Sequence, residues 1–328
     1  MVSPRQLHTA TLLSNGKVLV AGGDGANSSA ELFDPSVETF SSTGSMLEGR
    51  DSFTATLLNN GKVLVAGGRG LSNSPLASAE LYDPGTGTFT PTGSMLTGRF
   101  GHTATLLKGG QVFMAGGVTQ YGSTATQTAE IYDPNTGTFT ATGNMTTPRD
   151  HHAATLLGDG RVLLTGVDTT AELYDPNTRT FAATVNMSTA RGGHTATLLE
   201  TGKVLIVGGI QPQGNFLVSL ASTELFDPAN GAFAPTGNLA VPRGDHTATS
   251  MKDGTVLVAG GVDASGGWLA NLAAAEIFDP TKGTFTPVGT MAHARVGHTA
   301  TLLNDGRVLV VGGRDLDDSL TTTAEIFQ

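Results

Sequence analysis

The stretch Arg149-Asp150-His151-His152 is the densest run of groups able to move a proton or hold a cation. Asp245-His246 and Asp51 supply similar groups elsewhere. An imidazole polarised by a carboxylate can act as a general base, and such a set can also hold a divalent cation. Asp150, His151 and Asp245 are therefore the catalytic candidates, in a hydrolase or lyase. The competing reading makes them solvated rim residues, since charged side chains mostly stay at the surface. The chain has no cysteine. That removes disulfides, thiolate metal ligands and cysteine nucleophiles.

These groups belong to a recurring unit. An Arg opens each copy: Arg5, Arg50, Arg99, Arg149, Arg191, Arg243 and Arg295. Three residues on stands His8, Phe53, His102, His152, His194, His246 or His298. A β-branched and apolar run follows, as in Thr103-Ala104-Thr105-Leu106-Leu107, then a tight turn such as Ser14-Asn15-Gly16 or Asn304-Asp305-Gly306. Asn-Gly and Asp-Gly supply the positive φ of a hairpin. The second strand is almost wholly apolar (Val18-Leu19-Val20-Ala21) and ends in a Gly pair, so it reads as covered on both faces. After a variable loop, a third strand such as Ala129-Glu130-Ile131-Tyr132 stops at Asp133-Pro134, and a fourth, Thr138-Phe139-Thr140-Ala141, leads on.

Seven such units of four short strands predict an all-β, seven-bladed β-propeller of antiparallel blades. The repeats run approximately 1–46, 47–95, 96–145, 146–187, 188–239, 240–291 and 292–328, in a single domain 1–328. The seventh unit stops after its third strand. Its blade is expected to lack an outer strand, leaving an edge to be covered either by a longer natural chain or by self-association with a second copy.

A residue present in nearly every copy serves the scaffold, because no single site needs seven copies. The Arg, the His and a third-strand Glu (Glu31, Glu80, Glu130, Glu172, Glu224, Glu276, Glu325) fall in this class. An Arg–Glu pair, set between blades with the His bonded beside it, is the expected arrangement. A ring of His would be too widely spaced to share one ion.

Four hydrophobic residues before a Gly pair are followed by an aromatic on the third strand: Phe33, Tyr82, Tyr132, Tyr174, Phe226, Phe278, Phe327. A second lies on the fourth: Phe40, Phe89, Phe139, Phe181, Phe233, Phe285. This pattern resembles the kelch-repeat β-propeller family, although the family usually has Trp in the second slot. The resemblance implies the propeller fold and no particular chemistry. It also implies that the loops after the Gly pairs share a face with the entrance to the first strands, where partners commonly bind. Galactose oxidase, which contains a kelch propeller, uses copper and a Tyr–Cys crosslink. Without cysteine that chemistry is not expected here, and no cofactor or metal is implied.

Carried onto this chain, the binding face holds Asp51, Asp150, His151 and Asp245 near the strand entrances. Arg69, Tyr121, Phe216, Trp268 and Arg314 come from variable loops, with Asn271, Asp315 and Asp318 among the rim residues. The loops of units five and six are the longest and carry Phe216-Leu217-Val218 and Gly266-Gly267-Trp268-Leu269. Trp268 is the only Trp, fit either to plug a loop or to anchor a partner. The net charge is −10 with no basic stripe, which argues against nucleic acid. No apolar run is long enough for membrane insertion. The expected function is a non-enzymatic binding scaffold for a protein or glycan partner. A secreted or cell-surface setting is expected ahead of a cytoplasmic one.

Overall fold

A computed structural model describes residues 1–25, 27–122, 124–266, 269–317 and 319–328. The fold is an all-β, seven-bladed β-propeller. Six blades are four-stranded antiparallel sheets in sequence order, and the last has three strands. Two small extra hairpins, Ile210–Gln213 with Phe216–Ser219 and Val262–Asp263 with Ala270–Asn271, rise from the loops of the fifth and sixth blades. The chain forms two compact units, Met1–Asp150 with Asp175–Phe181, and His151–Tyr174 with Ala182–Gln328. Among the described residues no helix is long and apolar enough to cross a membrane.

The apolar second strands explain the architecture. Side chains alternate sides along a strand. Val63 and Val65 pack toward the first blade with Leu19 and Ala21, while Leu64 and Ala66 pack toward the third with Val112 and Met114. The fifth blade repeats this with Val204 and Ile206 on one side and Leu205 and Val207 on the other. Neither face can be polar, so the run has no period-2 pattern. Each fully buried Val or Leu contributes roughly 1.5–3 kcal/mol.

The seams have a second layer. Met46, Met95, Met187 and Met291 fill one equivalent slot, taken by Leu239 between the fifth and sixth blades. Third- and fourth-strand aromatics stack within a blade, as in Tyr82–Phe89 with centroids 4.8 Å apart. The Tyr82 hydroxyl meets Thr43 Oγ1 of the preceding blade at 2.8 Å. Beside it the Gly44 N–H donates to the Gly87 carbonyl at 2.9 Å. A Cβ on Gly44 would stand 2.4 Å from that oxygen, so only glycine allows this approach.

All seven repeat arginines are fully buried. Arg50 Nη1 donates to the Gly67 carbonyl at 2.6 Å and the Ser78 carbonyl at 3.1 Å, and Nη2 to Glu80 Oε1 at 2.9 Å. Glu80 in turn accepts the Leu47 N–H at 2.7 Å. The guanidinium thus ties the end of the second strand to the start of the third, and the carboxylate ties down the incoming chain. The same bonds recur at Arg5–Glu31, Arg99–Glu130, Arg191–Glu224, Arg243–Glu276 and Arg295–Glu325. The pair therefore lies within a blade, not between blades as its repetition suggested. The Arg lies in the segment that enters the first strand, and the Glu on the third strand of the same sheet.

The histidines make the contact between blades. Nε2 of His102, His194, His246 and His298 lies 3.1, 2.8, 3.0 and 3.1 Å from Oγ1 of Thr54, Thr165, Thr195 and Thr247 in the preceding blade. Phe53 replaces the His in the second blade and packs into the seam instead.

The seventh blade ends on Ala324–Phe327, with no fourth strand among the described residues. Its Glu325 side chain is 20% accessible, whereas the paired Glu224 is 3% accessible. The ion pair itself is kept, with Arg295 Nη2 2.7 Å from Glu325 Oε1.

Burial, reinforced by Arg295, pulls the His298 pKa down to about 4. Burial, reinforced by Arg243, also lowers that of His246. Between about pH 4 and 6.5 the unfolded chain therefore takes up protons that folded His298 refuses. Stability is present above that window and falls as pH drops through it, by up to about 1.4 kcal/mol per pH unit for one such group. Thermal unfolding from pH 7 to 4 should show this decline, with a shallower one for His298→Gln. Parallel curves for the two proteins would count against it.

Candidate functional site

In five blades the loop after the Gly pair bridges to the entrance of the first strand. Single-residue bridges couple Asp51 to Arg69, Phe100 to Val118, Gly192 to Ile210, Gly244 to Val262 and Val296 to Arg314. Each loop is thereby fixed at its root.

In the first unit the second blade closes on itself. Asp51 is buried, and its carboxylate is forked by Arg69, with Nε–Oδ1 3.0 Å and Nη2–Oδ2 3.2 Å. Two candidate binding residues thus satisfy one another, and the pair reads as a strap across the loop. Tyr121 in the third-blade loop is exposed. Asp150 falls in the first unit, and His151 and Asp245 in the second.

In the second unit three loops join into a wall. The fifth-blade hairpin carries exposed Phe216 and Leu217 beside its turn. Its base is pinned by Ser219 Oγ, which donates to the Val262 carbonyl and accepts the Ala264 N–H, each at 3.0 Å. On the sixth-blade hairpin, Asn271 Nδ2 donates to the Arg314 carbonyl at 3.3 Å and the Asp315 carbonyl at 2.6 Å. Backbone bonds from Arg314 to Val296 hold the seventh-blade loop, at 2.9 and 3.1 Å. The fourth blade has only Asp168-Thr169-Thr170 at the equivalent place. Trp268 and Asp318 lie outside the described residues.

His151 and Asp245 come together through an unusual backbone. The position two after each repeat Arg is left-handed: φ is 53° at Leu7, 52° at Ser52, 47° at His151 and 51° at Asp245. Gly101, Gly193 and Gly297 occupy it in the other blades, at 62°, 59° and 67°. These residues link blade to blade. Gly193 N–H donates to the His151 carbonyl at 3.1 Å, and Asp245 N–H to the Gly193 carbonyl at 2.7 Å. Ser52 and Gly101 repeat the pattern in the first unit, bonding Leu7 and Ser52 at 3.1 and 2.9 Å. A Cβ on Gly193 would lie 2.3 Å from Asp245 Oδ1, so the carboxylate occupies the space the glycine leaves. Asp245 is open to water but set among protein atoms in a concave site. That partial loss of solvent raises its pKa, while the charge of nearby His151 opposes the rise. The spacing of Asp and His did not reveal this link. The signal was there in the slot itself, where three glycines alternate with Leu, Ser, His and Asp.

Next to Asp245 is a cavity of about 410 Å³, lined by Asp245, Val262, Leu269, Ala270, Asn271, Val296, Asp315 and Leu316. Leu269 and Leu316 are exposed. Sequence reasoning placed Asp245, Asn271 and Asp315 on this face but gave Leu316 and Val262 no part in it. Nothing in an isolated Leu or Val marks it as a pocket wall.

The Gly193 geometry is open to direct measurement. Gly193→Ala meets both the left-handed backbone, costing about 1–2 kcal/mol, and the Asp245 carboxylate. Gly101→Ala meets the same backbone, with nothing within 4 Å of the added Cβ. The Gly193 variant should lose more stability in denaturant unfolding, and the excess should disappear in Asp245→Gly. Equal losses in the two single variants would mean that the carboxylate does not occupy that space.

The description "Kelch motif" matches residues 52–96. No curated protein matches the chain. Among solved structures 987 chains match, so broad a set that the likeness speaks to fold alone. One is a fungal alcohol oxidase of the AA5 family in complex with copper. It is 20% identical, with a TM-score of 0.79 over 95% of this chain and 71% of that one. The residues here do not fit a copper centre of that kind. There is no cysteine, and no group of three or more His, Cys, Asp or Glu is placed to hold a metal among the described residues. Tyr82, Tyr132 and Tyr174 are buried third-strand packing residues. The motif at residues 52–96, the seven copies of its pattern and the shared fold make this chain a seven-bladed β-propeller similar to kelch propellers.

Proposed function

We propose that the chain is a non-enzymatic binding module that holds a protein partner on the loops of its fifth, sixth and seventh blades. The observation that carries this reading is the fifth-blade hairpin. Phe216 and Leu217 are 67% and 51% exposed, yet they sit on paired strands whose base Ser219 pins to the next blade. An apolar pair held out by an ordered support is organised before binding, so little entropy is lost when a partner covers it. Aromatic anchors of this kind dominate protein interfaces. Kelch propellers in general mediate protein interactions, which agrees with this assignment. A glycan partner would draw instead on Trp268 and Tyr121 as stacking surfaces.

The double variant Phe216→Ser/Leu217→Ser should lose at least tenfold in affinity for a protein captured by the unaltered chain. Its melting temperature should stay within a few degrees, because neither side chain is buried. Equal capture by the two proteins would refute this choice of surface.

A hydrolase or lyase is the second reading. It is favoured by the raised pKa of Asp245 beside His151, on backbone held in a disfavoured region. If it holds, ester or glycoside turnover by the purified chain should disappear in His151→Ala. Turnover unaffected by that change would exclude His151 as its base.

A further inference from the structure

We infer that the cavity between the sixth- and seventh-blade loops is a subsite for a basic side chain, lysine or arginine, of the bound partner. The inference rests on the binding reading above and names the chemistry of one contact in it.

The polar groups that the cavity offers are acceptors. Asp245 and Asp315 supply carboxylates, and no Lys, Arg or His is among the described lining residues. Asn271 has already used its amide nitrogen on the carbonyls of residues 314 and 315. The orientation of that amide follows from its partners, since two carbonyls can face only the NH₂ end. Its oxygen is the end left to receive a donor. Asp315 accepts bonds from Ser319 and from the Asp317 N–H, neither of them a cation, while His293 acts on Asp315 and His151 on Asp245 from outside the lining. A ligand that satisfies this set must bring donors and positive charge, and an anion would meet two carboxylates.

The rest of the lining is apolar. Val262 and Val296 sit on the anchored loop roots, and Leu269 and Leu316 are exposed at the cavity. That composition matches a cationic head on a methylene stem, which buries its carbons while its charge finds an acceptor. The volume of about 410 Å³ lies at the small end of ligand pockets, enough for one long side chain and not for a large cofactor. The strand roots and the Asn271 bonds hold the walls in place, so the site exists before the partner arrives.

The test uses the whole chain, isotopically labelled, at pH 7.5 and low salt. Nα-acetyl-lysine amide is titrated in, with Nα-acetyl-norleucine amide, its uncharged counterpart, as the comparison. The lysine probe should shift the Asn271 side-chain amide signal in a saturable way and bind at least tenfold tighter than norleucine. The double variant Asp245→Asn/Asp315→Asn should reduce that preference to less than threefold. Equal binding of the two probes to the unaltered protein would overturn the proposal without any variant. So would lysine binding that the double variant leaves intact. Phe216→Ser/Leu217→Ser separates this idea from the one it rests on. That variant should keep the lysine probe while losing the partner. Partner capture that persists without probe binding refutes the subsite alone.

Discussion

A guanidinium with no access to water stands at the start of each blade, and the blade closes around it. Its nitrogens take carbonyls from the ends of two strands and a carboxylate from the third. An arginine buried this way is tolerable only if each of those acceptors is in place. Burial alone pulls the pKa of Arg50, Arg99, Arg191 and Arg243 down, and the paired glutamates oppose the shift. Strand order, the Gly pair and the path of the incoming chain are all conditions for satisfying one charged group. Removing a single partner from such a pair typically costs about 3–5 kcal/mol. The clamp therefore specifies one arrangement of its strands, whatever net stability it adds.

The division of labour follows from this. Within a blade the polar clamp fixes the strands; between blades the seams are mainly apolar, joined at single points by His–Thr and Tyr–Thr bonds, a close glycine contact and backbone bonds at the strand entrances. Neither device uses the loops beyond the Gly pairs. Those loops are free to lengthen, as in the fifth and sixth blades, or to shrink to three residues, as in the fourth. Where they lengthen they acquire supports of their own, through Ser219 and Asn271. The binding surface is thus a second structure built on the first.

Much of the fold was legible because the chain repeats its own instructions. Each Arg stands 17 residues before the Gly that ends the second strand, each Asp-Pro follows its Glu by three, and the apolar second strand announces that it is covered on both faces. The direction of the Arg–Glu pair was not legible. Repetition shows that two residues go together, but both readings, within a blade and between blades, satisfy the same spacing. The candidate site was legible only in part. Asp51 and Arg69 each looked available until the bridge between their strands brought them together. The link between His151 and Asp245 depends on positive φ at non-glycine residues, a conformation marked only by the glycines that share their slot. Leu269 and Leu316 become pocket walls only through the packing of two loops that are distant in sequence.

The slot filled by Met46, Met95, Met145, Met187 and Met291 has one exception, Leu239, in the seam beneath the two hairpin-bearing blades. A thioether can be converted to a polar sulfoxide, whereas an isobutyl group has no sulfur to attack. Under peroxide or other oxidants, the methionine seams are the ones that age and loosen. The blade carrying the exposed Phe216 hairpin has one seam of each kind, with Met187 toward the fourth blade and Leu239 toward the sixth.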